Sequence, residues 1–136
     1  MRQVCINIDD VPVRVKIGRK LKPLNLNFYR NAHYQTLNRM KAEFNKSIEP
    51  SLKKLPKKLK NVTITYTIRP GSKRKFDLSN VGTVVDKFFC DCLVHSGTLE
   101  DDNYAIVNGV SYVLGTPNTG KDTVVDIEIR GFIYED

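Results

Sequence analysis

Val62 to Ile68 reads VTITYTI, and this alternation of apolar and polar side chains leaves little choice of local structure. Side chains on a strand point alternately to opposite faces, so Val62, Ile64, Tyr66 and Ile68 share one face and the threonines the other. A sheet that is apolar on one face needs a second layer to cover it. Two stretches can supply that layer. From Leu78 to His95, the residues Val81, Val84, Val85, Phe88, Phe89 and Cys92 fall on one arc at 100° per residue, which predicts a helix that Gly97 ends. Upstream, Tyr34, Leu37, Met40, Phe44 and Ile48 mark another helical face, with Pro50 set to end or kink it near Glu49.

The remaining segments read as strands and connections. Gln3–Ile8 and Val11–Ile17 are rich in Val and Ile and flank Asp9-Asp10, the pattern of a β-hairpin with a short turn. Gly18 to Asn27 reads as a basic connection, and Ser51 to Lys60 as a basic turn with five lysines. Tyr104–Leu114 and Thr123–Tyr134 read as two long strands joined by a loop rich in Gly, Pro and Asn. The order ββαβαββ predicts a single α+β domain over residues 1–136, a mixed β-sheet with two helices packed mainly on one face. A chain of this length buries roughly two-thirds of its unfolded surface, enough for a core without disulfide or metal staples.

Charge divides the chain. Residues 1–75 hold 19 Lys/Arg against four Asp/Glu, and residues 76–136 hold three against eleven. The net +7 therefore hides a basic half suited to a polyanion and an acidic half suited to a cation. Cys5, Cys90 and Cys92 are odd in number, which speaks for reduced thiols and a cytoplasmic protein. No apolar run approaches the roughly 20 residues of a membrane span, so no membrane partner is expected.

The segment richest in chemistry is Lys73-Arg74-Lys75-Phe76-Asp77-Leu78-Ser79-Asn80, then a helix carrying Asp86, Lys87 and Asp91, then Gly97-Thr98-Leu99-Glu100-Asp101-Asp102. A basic loop beside spaced aspartates suits phosphodiester hydrolysis, because Mg²⁺ takes oxygen ligands, keeps several waters, and can turn one into a nucleophile. On a helical wheel Asn80, Lys87 and Asp91 fall within about 20° of one line, bordering the apolar arc. The plainer reading of Lys87 and Asp91 is an i,i+4 surface pair. Lys57, Lys58, Lys73, Arg74 and Lys75 are the candidate DNA contacts, against the plainer reading of solvated turns.

Asp77-Leu78-x-Asn80, a Lys and an Asp at i,i+4 on the next helix, and Gly97-x-Leu99-x-Asp101-Asp102 ahead of a strand resemble the RusA family of Holliday junction resolvases. Leu24 to Arg30 resembles an upstream segment of that family more loosely. The resemblance implies a homodimeric, Mg²⁺-dependent endonuclease, with Mn²⁺ able to stand in, that cuts four-way DNA junctions in the cytoplasm of a bacterial or phage-infected cell. It implies Asp77 and Asp102 as metal-binding aspartates, and Lys87 as the lysine that offsets charge on the phosphate. Asn80 would orient the phosphate or a metal-bound water. Ser79 stands where the family pattern has a second aspartate, and about four extra residues separate Asn80 from Lys87. Asp86 or Asp101 would supply the third carboxylate, or two aspartates and more water would suffice. The alternative is a nucleic-acid-binding protein that keeps the fold without the chemistry.

Two other motifs lead elsewhere. Gly115 to Asp122 nearly matches a phosphate-binding loop, but Asp122 replaces the Ser/Thr and a strand pattern follows where a helix is needed. It reads as a hairpin loop, and no nucleotide cofactor is expected. Cys90 and Cys92 lie about 160° apart on a helix and cannot share a zinc ion there. Cys92 and His95 are expected in the core and Cys90 on the surface.

Overall fold

The computed structural model describes residues 1–134. In chain order the elements are β1 (Arg2–Pro12), β2 (Arg14–Ile17), β3 (Lys20–Pro23), α1 (Leu26–Asn31) and α2 (Tyr34–Leu52). They continue with β4 (Lys60–Arg69), α3 (Leu78–His95), β5 (Val107–Leu114) and β6 (Val124–Ile133). The fold is α+β: a mixed four-stranded sheet ordered β1-β6-β4-β5, a separate β2–β3 hairpin, and three helices rather than two. Among the described residues no helix is long and apolar enough to cross a membrane.

β4 is the strand its alternation predicts, with Val62, Ile64, Tyr66 and Ile68 buried. It pairs antiparallel with β6 and parallel with β5. Parallel neighbours need a crossover between them, and α3 is that crossover. Gly97, at φ +82°, ends α3 in the left-handed conformation that a side chain disfavours. The buried stripe of α3 is wider than the wheel marks, taking in Gly82, Cys90 and Leu93. The reason is that α3 is packed on two sides. Phe89 meets Tyr66 of the sheet edge-on at 6.2 Å, while Phe88 meets Phe44 of α2 at 5.9 Å and Tyr29 of α1 at 6.4 Å. Against β5 the approach is so close that a Cβ on Gly82 would lie 2.5 Å from the Tyr112 ring. Cys90 is therefore buried, and His95, beyond the packed face, is exposed.

Four further expectations need correction. The segment around Asp9-Asp10 is a bulge inside one long strand, not a hairpin turn: β1 runs through it along β6, with Ile8 opposite Ile127 and Val11 opposite Val125. Asp10, at φ +57°, donates its N–H to Asp126 Oδ1 at 2.9 Å, and Arg69 holds Asp10 Oδ1 at 3.0 Å. Residues 18–27 are not a plain connection, since they contain β3 and the start of α1. Pro50 sits inside α2 without ending it, because buried Ile48 and Leu52 hold the last turn to the core and only the Lys46 carbonyl loses its donor. Residues 115–122 do not form a hairpin loop, because β5 and β6 are not neighbours.

Candidate nucleic-acid interface

Chain direction decides where the candidate residues stand. The basic loop, residues 70–77, leaves the far end of β4 and enters α3. It is braced by the 115–122 connection: Asn118 N–H donates to Pro70 O at 2.7 Å, and Gly71 N–H to Thr123 Oγ1 at 3.0 Å. Asp77 is the N-cap of α3, and its side chain makes no capping hydrogen bond. Asn80 Oδ1 accepts the Leu26 N–H at 3.2 Å, which ties α1 to the same end of α3. Asn25 caps α1 through the Phe28 N–H at 2.9 Å, and the helix carries Arg30 to the rim.

The loop separates two clefts that share Asp77. The polar one, about 790 Å³, is lined by Asn25, Asn27, Arg30, Arg74, Lys75, Asp77 and Asn80 among others. The apolar one, about 950 Å³, has Phe76, Leu78, Leu114 and Pro117 in its wall and Lys73, Arg74 and Lys75 along its margin. Among the described residues Arg30, Lys73, Arg74 and Lys75 form no ion pair. In the polar cleft three unpaired cations, the positive end of α3 and one carboxylate face the same space. Arg30 enters through α1, which a reading of residues 18–27 as a connection hides; Asn25 as an N-cap residue is the signal that could have found it.

Asp101 and Asp102 stand at the other end of α3. Asp101 Oδ1 accepts the Asp102 N–H at 2.7 Å and its Oδ2 the Asn103 amide at 2.8 Å, which holds its carboxyl below the ordinary range. Asp102 is raised, by desolvation first and by Asp101 and Asp91 among further causes, and its charge adds to the raising of the Cys90 thiol. The Leu99 N–H donates to the Leu93 carbonyl, so the segment that carries Asp102 leaves from the last turn of α3, the end opposite Asp77. Thirteen residues of helical rise separate Asp77 from Cys90, roughly 20 Å. Asp77 and the segment that carries Asp102 therefore stand at opposite ends of the helix, whereas two ligands of one Mg²⁺ ion each lie about 2.1 Å from it. Within one chain Asp77 and Asp102 do not converge, because the crossover that makes β4 and β5 parallel carries the chain from one end of the sheet to the other.

The remaining candidates are engaged elsewhere. Asp86 Oδ1 accepts the Tyr66 hydroxyl at 2.6 Å and the Cys90 thiol at 3.3 Å, so it closes a half-buried network instead of facing Asp77. Lys87 lies over the Tyr29 ring, 5.7 Å from its centre and roughly 15 Å of helix from Asp77. Asp91 pairs with Lys41 of α2 at 2.9 Å. The Asn80–Lys87–Asp91 line thus docks α1 and α2. Lys57 donates to the Ser96 carbonyl and Lys58 N–H to that of Gly97, at the end of α3 opposite Lys73–Lys75. Among the described residues no three His, Cys, Asp or Glu side chains gather as metal ligands. The donor set of a single chain does not fit the two-aspartate ion that the resemblance implies. No protein-family model matches the chain, and no curated protein matches it.

The Tyr66–Asp86–Cys90 network has a consequence for stability. Burial first, then neighbouring charge, pushes the Tyr66 hydroxyl and the Cys90 thiol up, and burial takes Cys92 from 9.0 to about 12. The folded chain keeps these protons where the unfolded chain releases them, so stability is complete below about pH 9 and falls as pH rises toward 12. Denaturant midpoints should be lower at about pH 10.5 than at about pH 8. A Cys92→Ala variant should lose less on that step.

Proposed function

We propose that the chain grips the phosphate backbone of nucleic acid in the polar cleft at the start of α3. The observation that carries this reading is the meeting of Arg30, Arg74 and Lys75, which form no ion pair among the described residues, at the positive end of an 18-residue helix. Phosphates favour such a place, since backbone N–H groups and the helix dipole attract anions and each cation adds counterion release. The +15 balance of residues 1–75 extends the attraction beyond the cleft.

The second reading is a metal-dependent, structure-selective endonuclease that acts on four-way junctions as a homodimer. The uncapped Asp77 carboxylate favours it: an acidic group among three cations weakens anion binding unless it has work of its own. Against it stands the distance to Asp102 in one chain. Incubation with labelled four-way junction, duplex and RNA, in Mg²⁺, Mn²⁺ or EDTA, separates the readings. Retention without cutting in every metal supports the binding protein. Metal-dependent cutting supports the nuclease. Failure to retain any of the three at low salt would reject both.

A further inference from the structure

β2 and β3 stand apart from the main sheet as a two-stranded ribbon. A lone hairpin is marginal in water, and this one is held at its root. Val15 and Leu24 are buried, the Leu24 N–H donates to the Val13 carbonyl at 2.7 Å, and β2 lies against α2. The far half is different. Lys16, Arg19, Lys20 and Leu21 are exposed, and a Cβ on Gly18 at the tip would meet nothing within 4 Å. Gly18, at φ +62°, opens the two-residue turn between the strands, where a tight hairpin favours glycine.

The ribbon carries charge that little in the chain answers. From Val13 to Ala42 there are eight Lys/Arg and no Asp/Glu. Arg14 pairs with Asp122, and Lys22 lies over the Phe28 ring, 5.6 Å from its centre. Among the described residues Lys16, Arg19 and Lys20 form no ion pair. The register lets a hairpin hold this density: Lys16 faces Leu21, Lys20 faces Ile17 and Lys22 faces Val15, so no two cations stand directly opposite. Alternation puts Lys16 and the 56% exposed Leu21 on the face away from buried Val15. At the root, Val13 and Asn25 line the polar cleft that holds Arg30, Arg74 and Lys75. The tip lies up to roughly 17 Å beyond that root.

We propose that the β2–β3 ribbon is a second nucleic-acid contact, entering the major groove of a B-form DNA duplex whose backbone lies in the polar cleft. The placement of the backbone rests on the phosphate-gripping reading of that cleft. Two strands about 4.8 Å apart, with their side chains, suit a groove roughly 12 Å wide and not the minor groove at roughly half that width. Lys16, Arg19 and Lys20 bring donors for guanine N7 and O6 or for the flanking phosphates, and Leu21 an apolar contact for a thymine methyl. The major groove of an RNA duplex is deep and too narrow for side chains to read, so the ribbon favours DNA.

Two experiments on the full chain test it. Lys16→Gln with Arg19→Gln and Lys20→Gln should weaken binding to a mixed-sequence DNA duplex at least about 10-fold, with the circular dichroism unchanged. Binding to an RNA duplex of the same sequence should fall much less. In a Cys5→Ser background, Arg19→Cys should exchange with a disulfide-capped thiol tethered to cytosine N4, in the major groove, and not with one tethered to guanine N2, in the minor groove. Cys90 and Cys92 are buried, and the Cys5→Ser chain alone should not react. No loss on DNA, an equal loss on DNA and RNA, or cross-linking at guanine N2 as ready as at cytosine N4 overturns the groove contact. Arg30→Gln with Arg74→Gln and Lys75→Gln reads the cleft separately. Loss in that variant with none in the ribbon variant removes the ribbon and leaves the cleft standing. An unaffected cleft variant removes the cleft reading and, with it, the proposed placement of the backbone.

Discussion

Replacing Arg30, Arg74 and Lys75 together with glutamine is expected to weaken duplex DNA binding roughly 100-fold, at about 1 kcal/mol for each cation facing an anionic surface. The same substitution should flatten the salt dependence. Each phosphate contact contributes about 0.9 to the slope of log K against log salt, so the loss of three makes the slope shallower by roughly 2.7. The slope discriminates where affinity does not, because a variant that merely loosens the loop would lower affinity without removing three counterions. Lys46→Gln with Lys53→Gln serves as the control: both lysines lie beside acidic partners on α2, Glu43 and Glu49, and should change neither quantity by much. Among the described residues none of the three cleft cations is in an ion pair, so thermal unfolding should be unaffected. An unchanged slope in the triple variant would remove the cleft from the binding surface.

What could be read in advance follows from how local each signal is. β4 and α3 carry their instructions within themselves, an alternation in one and an arc with a terminal Gly97 in the other; α3 has the expected span, and β4 contains the expected Val62–Ile68 and runs on to Lys60 and Arg69. The bulge at Asp9-Asp10 is not local: two acidic residues between apolar runs describe a turn equally well, and only Arg69 and Asp126, from β4 and β6, make them a bulge. The same holds for the sheet order. β6 lies between β1 and β4, a pairing between residues more than a hundred apart that displaces β5 to the edge. Cys90 is buried because α3 has the sheet on one side and α1 and α2 on the other, which no single wheel expresses. The candidate site divides along the same line. Asp77 and the basic loop are adjacent in the chain and stay adjacent in space, whereas the link from Asp77 to Asp102 depended on the direction of β5.

That direction makes a mixing experiment decisive for the cleavage reading. If wild type cuts junctions, Asp77→Asn and Asp102→Asn should each lose cutting by more than the roughly 100-fold that removal of an outer-shell metal partner can cost. Both should keep their junction binding, since no cleft cation is removed and asparagine serves as well as aspartate at the N-cap of α3. In a homodimer whose sites are shared, each site takes Asp77 from one copy and Asp102 from the other. A dimer of one Asp77→Asn chain and one Asp102→Asn chain then has one site with both substitutions and one with neither. Random mixing makes half of the dimers of this kind, so about a quarter of the wild-type sites return. A site contained in one chain behaves otherwise, because every chain in the mixture then carries a lesion in its own site and cutting stays at the level of the separate variants.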